Sequence, residues 1–245
     1  MIGGLLRTRE ALLKTGIRGF DELIGGGLPL GDYLLVGPPK IGKKLFVNQI
    51  SYNVASRGEP VIYITMDRAP KRIREEMAHF KWLVEPLEEK NSFRFIDGFT
   101  MWYFYDIEYK KEEFFLDSLK NPSKIQAVVK GAREKVGFGG LAVFSSLSTY
   151  IQHVGFEKAF TLLSHLRAAT EQIRNTSIGI LTIGMHTEKE LTALKHIFDG
   201  IIEMNFQKSD DKITRIIRVI GLGKKLDTFG WVEFHINDEG IVLDL

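Results

Sequence analysis

Strand-like apolar runs alternate with segments of helical spacing over most of the 245-residue chain. The strand-like runs are 32–37, 60–65, 92–99, 139–150 and 177–184, and the helical segments are 43–57, 69–83, one beginning near Asn121-Pro122, and 156–174. After residue 199 the pattern changes to strands alone, at 200–206, 212–220 and 231–236. Strand–helix alternation followed by strands alone favours a mostly parallel sheet with an antiparallel tail. We therefore predict an α/β fold, and we expect one domain over residues 1–245 because no linker or repeat interrupts the pattern.

Composition and charge exclude several classes of function. The chain has no cysteine, so disulfides, thiolate metal sites and cysteine nucleophiles are excluded. A net charge of +2 gives no general electrostatic basis for binding nucleic acid or a membrane. The first apolar run is too short for a secretory signal, and no run approaches the length of a membrane span. We expect a cytoplasmic protein, and the lack of cysteine with few glutamines is typical of a thermophile.

The segment 34–46, "LLVGPPKIGKKLF", contains an apolar strand, a Gly/Pro turn and the start of a helix. This is the setting of a phosphate-binding loop, whose template is G-x-x-x-x-G-K-[ST]. Gly37, Gly42 and Lys43 match the template, but Lys44 stands where a hydroxyl is expected. The candidate nucleotide-binding residues are Gly37, Pro38, Pro39, Lys40, Ile41, Gly42, Lys43 and Lys44.

The segment "KTGIRGFDELIGGGLPLGDYLLVGPPKIGKK" resembles the entry of the KaiC-like and RecA/RadA-like ATPases. In that family a T-G-[IV]-x-G-[FL]-D-x-[LI]-x-G-G-G-[IL]-P-x-G segment leads into the first strand and the phosphate loop. The matching residues are Thr15, Gly16, Gly19, Phe20, Asp21, Gly25–Gly27, Pro29 and Gly31. The resemblance covers nearly the whole chain, through "FHINDEGIVL" at 234–243. It implies a RecA-like P-loop sandwich of the archaeal single-domain type, with ATP or ADP as its ligand.

The metal-binding positions of this family are altered in the chain. The family uses the loop hydroxyl to ligate Mg²⁺, and Lys44 has only donors. The family's aspartate at the end of the strand in 141–146 corresponds to Ser145, which is a far weaker partner for Mg²⁺. Lys40 also replaces a glycine that is usual in the loop. The resemblance therefore implies no metal site and makes Mg²⁺ binding doubtful.

The catalytic positions are altered as well. The family's catalytic acid follows the second strand, commonly as Glu-Glu, and here the pair is Asp67-Arg68. The family also supplies a Lys-x-Arg from a neighbouring subunit, and the corresponding residues are Gly221-Leu222-Gly223, with Lys224 and Lys225 just after them. An arginine finger alone contributes about 10³–10⁵ in rate, and one oriented donor about 10²–10³.

These losses predict a pseudo-ATPase that acts as a nucleotide-sensing or assembly subunit. It would form a homo-oligomer, or a hetero-oligomer with active paralogues, and would bind ATP, ADP or another polyphosphate without Mg²⁺. One alternative is a weak ATPase that uses Asp67 as its base. Another is a DNA-binding recombinase paralogue, which the low net charge disfavours.

Several single residues have simpler interpretations. We expect Asp67 to pair with Arg68 or a helix N-terminus rather than to act in catalysis, and Asp21 to cap the short helix "DELI". The histidines lack metal-ligand spacing, although His186 follows a strand near the expected active-site edge. The aromatic segment 99–109 is interpreted as packing of an irregular lid, with a partner-binding patch as the alternative.

Overall fold

The computed structural model describes residues 11–103, 112–209, 212–222 and 225–245. The strands in these ranges are β1 (Leu12–Leu13), β2 (Leu28–Pro29), β3 (Gly31–Gly37), β4 (Val61–Thr65), β5 (Phe93–Asp97), β6 (Phe114–Phe115), β7 (Leu141–Ser145), β8 (Thr176–Thr182), β9 (Gly200–Ser209), β10 (Lys212–Leu222), β11 (Lys225–Thr228), β12 (Val232–Asn237) and β13 (Gly240–Leu243). The helices are α1 (Phe20–Leu23), α2 (Lys43–Ser56), α3 (Pro70–His79), α4 (Glu85–Glu89), α5 (Thr100–Tyr103), α6 (Pro122–Val136), α7 (Leu147–Val154), α8 (Phe156–Ile173) and α9 (Glu188–Ile197).

One large sheet organises the molecule, in the order β13-β12-β10-β9-β3-β8-β7-β4-β5-β6, with β11 paired to β10. From β9 to β6 in this order, each strand is parallel to the next one. The remaining strands, β10 to β13, pair antiparallel. The predicted α/β fold, with a mostly parallel sheet and an antiparallel C-terminal tail, is confirmed.

Strand β3 lies at the centre of the sheet, between β8 and β9. Its side chains alternate between two apolar cores: Tyr33 and Leu35 face one, and Leu34 and Val36 face the other. All four are fully buried, as expected for a parallel strand covered on both faces by helices. Helices α2 and α3 pack against the first core, and α6 to α9 against the second. The carboxyl end of β3 therefore emerges at a rigid position in the fold.

The prediction of a strand over 139–150 is wrong in its second half. Strand β7 ends at Ser145, and α7 begins at Leu147. The hydroxyl of Ser146 accepts a hydrogen bond from the Thr149 N–H at 3.2 Å and caps the helix. The hydroxyl residues in the second half of this run therefore begin a helix, because serine is a favoured N-cap residue.

Asp21 does not cap α1 as expected. It lies within the first turn of the helix, and the N-cap position is occupied by Gly19. Its carboxylate instead accepts hydrogen bonds from the Thr15 N–H at 2.9 Å, the Thr15 hydroxyl at 2.7 Å and the Gly16 N–H at 2.9 Å. The Thr15-Gly16…Asp21 spacing therefore closes a loop at the entry to the fold, which a purely local capping rule does not reveal.

Only the start of the aromatic segment 99–109 can be placed, because residues 104–111 lie outside the described residues. Trp102 is 40% exposed, and its ring lies 5.5 Å from that of His153. Neither interpretation of the segment is tested. Within the described ranges, no helix combines the length and apolar character needed to cross a membrane.

Candidate functional site

The loop between β3 and α2 has the backbone shape that a glycine-rich turn requires. Lys40, at the position of a family glycine, adopts a left-handed conformation with φ 64°, and Gly42 has φ 123°. A non-glycine residue adopts such a φ only at a cost, so the surrounding structure imposes the turn. A side chain at Gly37 would place its Cβ 2.6 Å from the Met204 carbonyl oxygen. The loop therefore keeps its turn although one glycine has been replaced.

Lys43 is the first residue of α2 and is 7% exposed. Its Nζ donates hydrogen bonds to the carbonyl oxygens of Gly37 at 2.6 Å and Pro38 at 2.7 Å. Burial, aided by the positive charge of Lys44, lowers the pKa of Lys43 to about 8. The loop thus holds an ammonium group whose charge is poorly balanced, and an incoming anion would stabilise it.

Lys44 and Asp67 form an ion pair beside the loop. The Lys44 Nζ lies 2.5 Å from Asp67 Oδ2, and the two side chains are 31% and 22% exposed. The other carboxylate oxygen, Oδ1, is buried and has no hydrogen-bond partner in the described part of the chain. Asp67 follows β4, whose carboxyl end lies at the same sheet edge as the loop, so this pair joins two connections that are distant in sequence.

The expected pairing of Asp67 with Arg68 is wrong. Arg68 forms its ion pair with Glu76 of α3. Its backbone carbonyl accepts a hydrogen bond from the Thr65 hydroxyl at 2.7 Å. Successive residues after β4 point in different directions, so Asp67 faces α2 while Arg68 faces α3.

A cavity of about 300 Å³ opens at the loop. Four cationic side chains line it, those of Lys40, Lys43, Lys44 and Arg68, together with one carboxylate, that of Asp67. A concave site lined mainly by one sign of charge concentrates ligands of the opposite sign. The chemistry of this cavity favours a polyanion.

A buried serine occupies the position where the family has an aspartate that supports the metal ion. Ser145 is 1% exposed, and its carbonyl accepts a hydrogen bond from the Met66 N–H at 2.6 Å. Among residues whose placement is described, no cluster of three or more His, Cys, Asp or Glu could hold a metal ion. The side chains around the loop are mainly cationic donors, which suit an anion.

The end of β10 corresponds to the segment from which the family supplies cations to a neighbouring subunit. The described part of this strand end has no cationic side chain. Gly221 has no side chain, and Leu222 is 4% exposed and packs in this chain's own core. Gly223 and Lys224 lie outside the described residues.

His186 takes part in a hydrogen-bond network that includes Thr182, which lines the cavity. Its Nε2 lies 2.8 Å from the hydroxyl oxygen of Ser148, which also accepts a hydrogen bond from the Thr182 N–H at 2.9 Å. Burial lowers the pKa of His186, and nearby Glu190 partly opposes this effect. Ser148 is 1% exposed, so the pair positions Thr182 at the cavity wall rather than presenting a nucleophile. Sequence reasoning missed Thr182 because a residue ending a buried strand carries no local signal of a cavity.

The sheet order, the strand–loop–helix unit and the lysine-rich cavity define a P-loop protein of the ATPase class. The KaiC ATPase family model matches residues 13–244, and the chain belongs to that family. Membership implies nucleotide binding.

Relatives and a solved structure agree with this assignment. The UPF0273 protein PH0284 of Pyrococcus horikoshii is 29% identical over 237 residues, which cover 94% of this chain and 93% of the relative. A UPF0273 protein of Thermotoga maritima is 27% identical over 235 residues, covering 94% and 95%. The crystal structure of the KaiC-like protein PH0186 from hyperthermophilic Pyrococcus horikoshii matches with a TM-score of 0.77 and 24% identity, covering 96% of this chain and 99% of that one. This likeness shows a shared RecA-type fold.

Proposed function

We propose that this chain is a KaiC-family subunit that binds ATP or ADP without Mg²⁺ and does not hydrolyse it at a useful rate. The observation that carries the proposal is the Lys44–Asp67 ion pair. It places an ammonium group beside the loop lysine, and it engages the one carboxylate found among the described residues that line the cavity. A nucleotide-sensing or assembly role follows, since binding without turnover can still switch a subunit between two states.

The loop supplies the groups that hold the phosphates in this proposal. The N-terminus of α2 favours anions, and the N–H groups of Ile41, Gly42, Lys43 and Lys44 belong to that turn. Pro38 and Pro39 have no N–H and only shape the loop. Lys43 would exchange its carbonyl partners for phosphate oxygens, and Lys40 would add charge at the rim.

Lys44 takes over part of the metal's electrostatic role. A cation about 4 Å from a phosphate oxygen gains roughly 4 kcal/mol at an effective dielectric constant of 20, before desolvation. A fixed ammonium cannot coordinate water or bridge two phosphate oxygens in the geometry of Mg²⁺. It therefore supports binding more than it supports transfer of the terminal phosphate.

Several groups that would accelerate hydrolysis are missing in this proposal. Removing an arginine finger costs about 10³–10⁵ in rate, and removing one oriented donor costs about 10²–10³. The effects are not additive, but Ser145, Lys44 and the Gly221–Leu222 strand end all depart from the catalytic pattern. We expect phosphate release at or near the uncatalysed level.

One observation favours a second candidate, a slow ATPase. The buried Oδ1 of Asp67 has no partner in the described part of the chain, so it has a free lone pair that could orient a water molecule. This candidate requires a measurable rate that disappears in Asp67→Asn and in Lys43→Ala.

Isothermal titration of ATP and ADP, with EDTA and with Mg²⁺, tests the proposal together with a phosphate-release assay. We expect equal heats in both buffers, loss of binding in Lys43→Ala, and no phosphate release. Glu59→Ala is a matched control variant, because its partly exposed side chain pairs with Arg57 away from the loop. No heat in either buffer would end the proposal, and release that depends on Lys43 and Asp67 would establish the slow ATPase instead.

We further propose that the subunit assembles with itself or with active paralogues and donates a surface to their sites. Gly221 and Leu222 cannot supply cations to a neighbour, so the subunit would receive cations from an active paralogue at its own site and donate only the rest of its surface. Native mass spectrometry with and without ATP measures assembly. A DNA titration across a salt series tests the recombinase alternative, because phosphate contacts give a steep salt slope.

A further inference from the structure

The cavity at the phosphate loop has two walls that come from different strands of the sheet. The connection after β3 and the start of α2 form one wall and contribute Lys40, Lys43 and Lys44. The connection after β4 forms the other wall and contributes Asp67 and Arg68. Strands β8 and β7 lie between β3 and β4 in the sheet, so the cavity extends across two strands from one wall to the other.

The second wall offers one cation to a ligand, that of Arg68, among the residues whose placement is described. Its carboxylate neighbour Asp67 is already paired with Lys44. In the family pattern both residues after this strand are acidic, so Arg68 brings a positive charge to a position where relatives of the resemblance have a negative one.

Arg68 is held by α3 through a shared ion pair. Its guanidinium binds Oε1 of Glu76, and the same oxygen accepts a hydrogen bond from Arg72 Nε at 3.1 Å. Glu76 therefore has two cationic partners and keeps Arg72 if Arg68 turns away. The Arg68 side chain is 34% exposed, and ion pairs at such positions contribute little to stability. Exchange of Glu76 for another anion is therefore an easy change for Arg68.

The backbone of Arg68 is anchored although its side chain has an exchangeable partner. Its carbonyl oxygen accepts a hydrogen bond at 2.7 Å from the hydroxyl of Thr65, which is fully buried. Burial raises the pKa of the nearby Tyr63 phenol, the charge of Asp67 raises this pKa further, and the charge of Arg68 lowers it. The Arg68 guanidinium and the Asp67 carboxylate therefore lie near the same buried phenol, close to the cavity.

We propose that Arg68 makes this site selective for nucleoside triphosphates over diphosphates. This selectivity depends on the proposed nucleotide binding at the loop. A cavity of about 300 Å³ is at the lower limit of ligand pockets, so it holds the phosphate chain and leaves the nucleoside outside. The loop and Lys43 hold the two phosphates nearer the nucleoside, and the terminal phosphate of a triphosphate meets Arg68 at the far wall.

The contact with the terminal phosphate replaces the contact with Glu76. A guanidinium binds phosphate oxygens through two parallel hydrogen bonds, which are stronger than a single partly exposed ion pair. A diphosphate ends one phosphate short of this wall and leaves Arg68 on α3. Only the triphosphate then detaches Arg68 from Glu76, which gives the subunit two states that differ by one phosphate group.

Calorimetric titration of the full-length protein in EDTA with ATP and with ADP tests this selectivity. Inorganic triphosphate and pyrophosphate serve as probes that carry no nucleoside. We expect ATP to bind at least about tenfold more tightly than ADP, as for one charge-assisted contact, and triphosphate to exceed pyrophosphate by a similar factor.

Variants assign the difference to Arg68. Arg68→Gln should lower the affinity for ATP by about tenfold and leave that for ADP unchanged, so that the ratio of the two affinities approaches one. Lys71→Gln is the matched control, because it removes a neighbouring exposed charge that does not line the cavity. Glu76→Gln releases Arg68 and should raise the affinity for ATP severalfold without changing that for ADP. Circular dichroism and thermal unfolding check that each variant folds.

Equal affinities for ATP and ADP in the unchanged protein would overturn this role of Arg68. An unchanged ratio in folded Arg68→Gln would overturn it as well. Both results leave nucleotide binding at the loop intact, whereas no heat with any of the four ligands would overturn the proposed function and this selectivity together. If Arg68→Gln does not fold, the ligand series and Glu76→Gln decide, and an unchanged ratio in folded Glu76→Gln counts against Arg68.

Discussion

The ammonium of Lys44 lies 2.5 Å from the carboxylate of Asp67, across the gap between the phosphate loop and the end of β4. Partly exposed ion pairs contribute about 0–1 kcal/mol to folding, so this pair has little importance for stability. In the proposed function its importance is electrostatic, because it places a second ammonium group at the loop and engages a carboxylate of the same cavity.

Lys44→Thr restores the hydroxyl of the loop template. We expect Mg²⁺ to strengthen ATP binding in this variant, by about tenfold or less, since one ligand returns while Ser145 remains. Phosphate release should stay at background because the other catalytic positions are unchanged. Calorimetry with Mg²⁺ and with EDTA measures the difference, and a Mg²⁺ effect of equal size in the unchanged protein would contradict the assignment.

Lys43→Ala should abolish measurable ATP binding, because it removes the buried cation at the start of α2. We expect at least a hundredfold loss, comparable to the removal of a charge-assisted pair in a desolvated site. Lys40→Ala should cost about tenfold or less, since that side chain lies at the exposed rim. Equal losses in the two variants would mean that Lys43 is not the central contact.

Binding of ATP should weaken above pH 8. The pKa of Lys43 is lowered to about 8, so the free protein loses this charge as the pH rises through that value. Phosphate favours the protonated amine, so binding takes up a proton and affinity falls by up to about tenfold per pH unit. Titration in buffers of different ionisation enthalpy measures the uptake, and Lys43→Arg, which stays charged, should give a flat profile if it binds.

Asp67→Asn frees Lys44 from its partner. We expect ATP affinity in EDTA to rise severalfold, because the ammonium no longer neutralises a carboxylate before it meets phosphate. Stability should change by less than about 1 kcal/mol, since both side chains are partly exposed. Weaker ATP binding in this variant would show instead that Asp67 contacts the nucleotide.

Thr187→Ala tests a structural element that the sequence analysis did not predict. The Thr187 hydroxyl accepts from the Glu190 N–H at 3.3 Å, and Glu190 accepts from the Thr187 N–H at 2.8 Å, which forms a capping box at the start of α9. Its loss should destabilise the fold by about 1 kcal/mol without changing ATP affinity. Urea unfolding measures the free energy, and Thr161→Ala on the exposed face of α8 is the control.

Local patterns were sufficient to predict the strands and helices that position the loop. The apolar run before Gly37 forms β3, the helical spacing after Gly42 forms α2, and the helical segment predicted at 69–83 contains α3. These features depend on neighbours within a few residues, so the sequence expresses them directly. The same reasoning failed at Ser146, where one hydroxyl fits both a strand end and a helix cap.

The sequence by itself determined the fold class, the phosphate loop and the family, because each depends on residue types at fixed spacings. Only the tertiary structure decided which side chains meet. Asp67 pairs with Lys44 rather than with Arg68, and Asp21 accepts hydrogen bonds from Thr15 rather than capping its own helix. The burial of Arg133 was likewise decided by the tertiary structure. Pairings of this kind join segments that are distant along the chain. Their energies depend on distance and burial, which exist only once the sheet has brought its strand ends together.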